Sequence, residues 1–269
     1  MKEGLKLNEN EFMDQYICSK LKDFKMVDMR LRYNDLIKKA IEDQQSYKEF
    51  LVSLLNAEEE GKKKRRTERN IKVAKFEKIC TLEDYDYSFH NYRNMQKIKE
   101  LSTLEFMNHH ENIIFIGKTG VGKSHVATGI GMKACEAGKK VLFENALDLI
   151  NNLSKSASEG TLKESLKKLA KIDLVIIDEL GYLKMDKEKE SIFFQFIRSR
   201  YERKSTIITS NLKLSEWDEV FTSQLAATAI LDRLVHHCHI VNMGVENGND
   251  DSYRVKGKER RKNHECQTN

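Results

Sequence analysis

The chain has 269 residues, 39% apolar and 33% charged, with 47 Lys and Arg against 42 Asp and Glu for a net charge of +5. No apolar run approaches the roughly 20 residues of a membrane span, and Met1 to Phe12 carries no apolar leader, so neither a membrane protein nor a secreted one is expected. The five cysteines, Cys18, Cys80, Cys135, Cys238 and Cys266, lack C-x-x-C spacing; they read as reduced thiols of a cytoplasmic protein, not as a disulfide framework or zinc site.

Proline is absent, so turns must be read from Gly, Asn, Asp and Ser alone. Residues 1–80 are expected to be all-helical. Met26, Met29, Tyr33, Leu36, Ile37 and Ala40 keep a three-four rhythm, as do Tyr47, Phe50, Leu51, Leu54 and Leu55. Lys62, Lys63, Lys64, Arg65, Arg66, Arg69, Lys72 and Lys75 follow, opposed only by Glu68. Lys62, Arg65, Arg69 and Lys72 step by three and four, so they line one helix face. That face suits either plain solvation or contact with a DNA phosphate backbone. Residues 81–111 form a connector: an acidic, turn-like start over 81–86, then a helix over 94–107.

From Asn112 strands and helices alternate. Strands are expected over 112–116, 140–143, 172–178, 205–209 and 239–243. Helices are expected over 124–137, 146–153, 161–170, 191–201 and 226–236. This alternation predicts an α/β domain over 112–263, with a five-stranded parallel sheet between helices. A short tail, 264–269, follows a second basic cluster of Lys256, Lys258, Arg260, Arg261 and Lys262.

The chemistry sits at strand ends. Gly117-Lys118-Thr119-Gly120-Val121-Gly122-Lys123-Ser124 follows the first strand and opens a helix, the context of a phosphate-binding P-loop. The glycines let backbone N–H groups turn toward phosphate oxygens. Lys123 supplies a point charge, Ser124 a hydroxyl for Mg²⁺, and the helix its positive end. His125 closes the expected nucleotide-binding set. The apolar run 174–177 ends in Asp178 and Glu179; Asp178 is expected to hold Mg²⁺ with Ser124, and Glu179 to orient the water attacking ATP. The second acid favours hydrolysis over transfer to a small molecule. Asn211, after the fourth strand, is placed to touch the water and the γ-phosphate. Arg233, beside Asp232, suits either a local ion pair or an arginine finger, with Glu202-Arg203 as competitor. His236-His237-Cys238-His239 fits no zinc spacing, and adjacent side chains are expected to diverge. Trp217 reads as a packing residue.

The ordered set of the P-loop, Asp178-Glu179-Leu180-Gly181-Tyr182, Thr209-Ser210-Asn211-Leu212, Ser215-Glu216-Trp217, Ile230-Leu231-Asp232-Arg233-Leu234 with His236-His237, and Ser252-Tyr253-Arg254 resembles the IstB-type transposition helper ATPases, relatives of the DnaC-type helicase loaders within the AAA+ class. The resemblance covers residues 40–263. It implies a P-loop NTPase AAA+ core with sheet order 5-1-4-3-2, little or no C-terminal lid, and a small helical N-terminal domain that engages DNA or a partner. It implies ATP and Mg²⁺ as cofactors, DNA-stimulated hydrolysis, and homo-oligomers assembling on double-stranded DNA. Arg233 would be the finger, Arg254 a second phosphate sensor, and a transposase the partner. A helicase loader engaging a replicative helicase is the alternative; a nucleotide-binding module without turnover is the third. The sequence departs from the family where Lys118, Thr119 and Lys184 replace prolines.

Overall fold

A computed structural model describes residues 2–87, 92–182, 184–222 and 224–244. Arg254, the basic cluster over 256–262 and the tail lie outside the described residues. The chain divides into two compact units, Met1–Arg69 and Asn70–Asn269.

The first unit is helical, as its apolar rhythm predicts. It holds α1 (Lys2–Asp23), α2 (Val27–Glu42) and most of α3 (Tyr47–Ala74). With no proline to stop them, these helices end at left-handed residues: Lys25, Gln44 and Lys75 have φ of 58°, 50° and 60°. Such positions cost a side-chain-bearing residue about 1 kcal/mol each. Ser46 and Glu49 cap the start of α3 reciprocally: the Glu49 carboxylate accepts from the Ser46 N–H at 2.7 Å, and the Ser46 hydroxyl accepts from the Glu49 N–H at 3.4 Å. Glu58, only 4% exposed, accepts from the backbone N–H groups of Asp28 and Met29 at 2.8 and 3.0 Å. It thereby satisfies the first turn of α2. Lys62 and Arg65 close on that carboxylate, and Arg65 also pairs with Asp28. Two of the four cations on the expected basic face thus balance a buried acid; the other two, Arg69 and Lys72, stay exposed, as do Lys63, Lys64 and Arg66.

The helix stops at Ala74, short of residue 80, because Lys75 turns left-handed. Phe76 then packs beside Phe143, ring centroids 6.1 Å apart. The single helix expected over 94–107 is also corrected. It is two pieces, α4 (Tyr92–Leu101) and α5 (Glu105–Asn108). The Ser102 and Thr103 hydroxyls bond back to the carbonyls of Lys99 and Glu100, and Leu104 turns left-handed at φ 67°. The break lets Leu101, Phe106 and Met107 all reach the core.

The second unit carries β1 (Asn112–Ile116), β2 (Val141–Asn145), β3 (Leu174–Asp178), β4 (Ser205–Ser210) and β5 (Cys238–Asn242). All pairings are parallel and the order is β2-β3-β4-β1-β5, the expected 5-1-4-3-2 read from the other edge. Between the strands lie α6 (Lys123–Glu136), α7 (Ala146–Ser158), α8 (Leu162–Leu169), α9 (Lys187–Arg200) and α10 (Gln224–Val235). Successive strand side chains point to opposite faces. Ile113, Phe115, Leu174 and Ile176 thus pack with α6 and α4, while Ile114, Ile116, Val175 and Ile177 pack with α7, α9 and α10. Apolar residues on both faces are what a doubly covered parallel sheet requires. Trp217 is fully buried in the second of these cores.

Candidate nucleotide-binding site

The glycine loop leaves β1 at Ile116 and enters α6 at Lys123, with Gly122 as the N-cap. Gly122 has φ 94°, and a Cβ there would lie 2.7 Å from the Tyr85 hydroxyl oxygen. Tyr85, 4% exposed, donates that hydroxyl to the Val121 carbonyl at 3.2 Å. A ring nitrogen of His125 lies 2.9 Å from the Thr81 carbonyl oxygen. The connector is therefore a strap over the loop and the start of α6.

Lys123 is 9% exposed and donates to the carbonyls of Gly117 at 2.7 Å and Lys118 at 3.0 Å. The loop thus presents a cation beside a helix N-terminus, an arrangement that attracts phosphate. Ser124 donates its hydroxyl to Asp178 Oδ1 at 2.8 Å, and Thr209 donates to the same oxygen. Asp178 ends β3 and is 5% exposed. Ser124 and Asp178 supply hard oxygen donors with no nitrogen or sulfur between them, a set that suits Mg²⁺ retaining several waters.

Glu179 follows in a left-handed conformation, φ 61°. Its N–H donates to Thr209 Oγ1 at 2.9 Å, which holds that backbone in place. Asn145 Nδ2 donates to Glu179 Oε2 at 3.3 Å, while Asn145 Oδ1 caps α7 by accepting from the Leu147 N–H at 2.9 Å. Parallel register brings the pair together, because Asn145 ends β2 opposite Asp178. Asn211 follows β4. Its Oδ1 is buried and has no hydrogen-bond partner among the described residues, and it sits where a Gly181 Cβ would fall, 1.9 Å away.

These residues enclose a cavity of about 320 Å³. Its walls include Thr119, Gly120, Gly122, Lys123, Ser124 and His125 from the loop and helix, Asp178 and Glu179 from β3, and Asn211 from β4. Gly117 and Lys118 turn their carbonyls to Lys123, and Val121 packs on the core beneath. Arg233 does not line the cavity. It lies on α10 with its guanidinium 4.8 Å from the Phe194 ring centroid and donates to the Ala229 carbonyl at 2.8 Å. Arg203 lines a separate groove by α8. Sequence reading missed Glu77, Lys78, Cys80 and Phe143 in the cavity wall. It also gave no role to Tyr85, Asn145 and Thr209. For Asn145 a signal existed: Asn directly before an apolar helical run is an N-cap pattern.

Gly122→Ala is expected to weaken nucleotide binding at least about tenfold, since its Cβ meets both a left-handed backbone and the Tyr85 ring. Gly160→Ala is the control. Its φ is also positive, 72°, but a Cβ there meets nothing within 4 Å, so stability alone should fall. Titration with a fluorescent ATP analogue separates the two; equal affinities would mean the strap yields to the new methyl group.

The family described as IstB-like ATP binding protein matches residues 19–261. The insertion sequence IS21 ATP-binding protein of Pseudomonas aeruginosa is 38% identical over 88% of this chain and 88% of its own. The IS5376 counterpart of Geobacillus stearothermophilus is 41% identical over 79% of this chain and 83% of its own. Among solved structures, the DnaC helicase loader superposes with TM-score 0.52 at 22% identity, over 61% of this chain and 96% of that one. AMPPCP-bound DnaA from Aquifex aeolicus gives 0.56 at 21% identity, over 69% and 56%.

Proposed function

The chain belongs to the IstB-like ATP binding proteins, an insertion-sequence family with an AAA+ P-loop core, and we propose that it hydrolyses ATP to assist transposition, assembling on double-stranded DNA and engaging a transposase. The observation that carries the reading is the convergence of Lys123, Ser124, Asp178, Glu179 and Asn211 on one cavity, at the carboxyl ends of β1, β3 and β4.

In this reading the loop N–H groups and Lys123 hold the phosphates, Lys123 exchanging two loop carbonyls for phosphate oxygens. Ser124 and Asp178 hold Mg²⁺, which when bound offsets the charge developing on the transferred phosphoryl group. Glu179 orients and polarises the attacking water, and Asn211 positions it against the γ-phosphate. Arg233 acts on the nucleotide of a neighbouring subunit. Its place outside its own cavity, fixed by Phe194 and Ala229, supports an action in trans. Arg254 would read the same phosphates from beyond the described residues.

Asn145 restrains Glu179 through one long hydrogen bond. Asn145→Ser keeps an N-cap oxygen but is too short to reach the carboxylate. Basal hydrolysis is expected to rise about two- to fivefold, the worth of roughly 0.5–1 kcal/mol, with the unfolding midpoint unchanged. A slower variant would make Asn145 part of the productive geometry and not a restraint on it.

Lys63, Lys64, Arg66 and Arg69, exposed on α3, are the proposed phosphate-backbone contacts. The deciding experiment is the ATPase rate with and without duplex DNA at low and physiological salt. Stimulation that charge reversal at these four residues removes, with a salt slope smaller by about 0.9 per lost contact, supports a DNA-assembling helper. Hydrolysis indifferent to duplex favours a helicase-loader role, which shares the catalytic set and differs in the partner. No hydrolysis in either condition favours a nucleotide-binding module. No helix among the described residues is long and apolar enough to cross a membrane.

A further inference from the structure

We propose that Glu202, His236 and His237 form a divalent transition-metal site at the amino ends of β4 and β5. It lies one strand length, about 16 Å, from the nucleotide cavity at the carboxyl ends, and it is independent of the ATPase reading.

The topology creates the site. Strands β4 and β5 both pair with β1, so the segments entering them meet at one end of the sheet. Glu202 lies in the link between α9 and β4, and His236 and His237 form the two-residue link between α10 and β5. In that turn the adjacent imidazoles do not diverge as expected for a helix or strand. Their rings pack edge to face with centroids 4.2 Å apart. Glu202 Oε1 is 3.7 Å from His237 Nε2 and 4.0 Å from His236 Nδ1. One donor atom from each residue lies within 4.8 Å of the other two. A four-coordinate ion with bonds near 2.0–2.2 Å holds its donors about 3.3 Å apart. Closing the set therefore asks the donor atoms to approach by about an ångström.

Both ligand-bearing segments are pinned from inside. Asn112, 9% exposed, donates its N–H to the His237 carbonyl at 2.7 Å and its amide to the Leu234 carbonyl at 3.2 Å, while its Oδ1 accepts from the Thr206 N–H at 3.0 Å. Arg200, 2% exposed, donates to the carbonyls of Leu169, Ile172 and Ser205 and to the Thr206 hydroxyl, fixing the chain two residues before Glu202. Glu202 has φ 53°, a conformation in which Gly or Asn would be less strained, yet a carboxylate stands there, facing two imidazoles.

Two imidazoles and one carboxylate suit Zn²⁺, Ni²⁺, Co²⁺ or Cu²⁺ and not Mg²⁺. All three side chains are about half exposed, which leaves the remaining coordination positions to water. The Tyr201 hydroxyl, 3.1 Å from His236 Nδ1, is the group the ion displaces from that nitrogen. Neighbouring donors are otherwise committed. His239 lies 2.7 Å from Glu111 Oε2. The Cys238 side chain packs against the core.

The test uses Co²⁺ and Zn²⁺ with the full chain in the absence of nucleotide. One Co²⁺ per chain is expected, with visible d–d bands and no near-ultraviolet thiolate band. Zn²⁺ is expected to raise the melting temperature of the unsubstituted protein. Glu202→Gln and His237→Ala should each weaken binding at least about tenfold, while Asp178→Asn should leave it unchanged. The proposal is overturned by absence of binding at micromolar metal, by a thiolate band, or by binding that survives the triple variant Glu202→Gln, His236→Ala, His237→Ala. The Co²⁺ spectrum of the unsubstituted protein decides the matter even if a variant folds poorly.

Discussion

Glu179→Gln is expected to slow ATP hydrolysis by about 10²–10⁴-fold while leaving nucleotide affinity within a few-fold. The substitution is nearly isosteric. Its amide oxygen can still accept from Asn145, and its backbone N–H still donates to Thr209. The left-handed turn after β3 should therefore persist, and only the carboxylate proposed to take the water's proton is lost. Lys123→Ala, by contrast, should lose affinity itself, because the cation facing the phosphates disappears. Single-turnover phosphate release, with nucleotide binding measured in parallel, distinguishes the two. If Glu179→Gln turns over at the unsubstituted rate, another group is the base. The same assay tests Arg233: an Arg233→Ala subunit mixed with a Lys123→Ala subunit should recover activity neither has alone. Lack of recovery would argue against a site shared between subunits.

Arg200→Met is expected to lower stability by about 3–5 kcal/mol, because one substitution removes the charged donor from four hydrogen bonds, each worth about 1.5–3 kcal/mol before relaxation. Arg200 carries a guanidinium into the core at the end of α9. Burial pushes its pKa down to about 9, with Asp173 pulling the other way, so the group remains charged at neutral pH. Its hydrogen bonds run to three carbonyls at 2.6 to 3.1 Å and to the Thr206 hydroxyl at 3.1 Å. Methionine fills the volume of the stem but removes the charged donor from all four acceptors; the Leu169 carbonyl keeps the Ile172 N–H at 3.1 Å. Arg200→Lys should recover less than half of the loss, because a single ammonium cannot reach acceptors spread around a planar fork. Urea unfolding midpoints read both variants. A loss below about 1 kcal/mol would mean that water reaches the exposed carbonyls.

Much of this protein is legible in its sequence. Apolar residues without alternation over 113–116 and 174–177 already required strands covered on both faces. The loop from Gly117 to Ser124 and the acids Asp178 and Glu179 declared themselves because each lies next to its own strand, where local order and chemistry coincide. The sheet order came from the family resemblance and not from the spacing of elements.

What the sequence by itself determined was local: element type, the glycine loop, and the carboxylates at a strand end. What only the tertiary structure decided was which distant residues meet. Tyr85 braces Gly122 from the connector, while strand pairing brings Asn145 to Glu179, Thr209 to Asp178, and Glu202 to two histidines; no local pattern encodes these meetings. The helix ends at Lys25, Gln44 and Lys75 were hidden for a related reason. Without proline or glycine at those positions, each stop rests on the packing that the left-handed residue permits, and packing is a property of the fold and not of the residue.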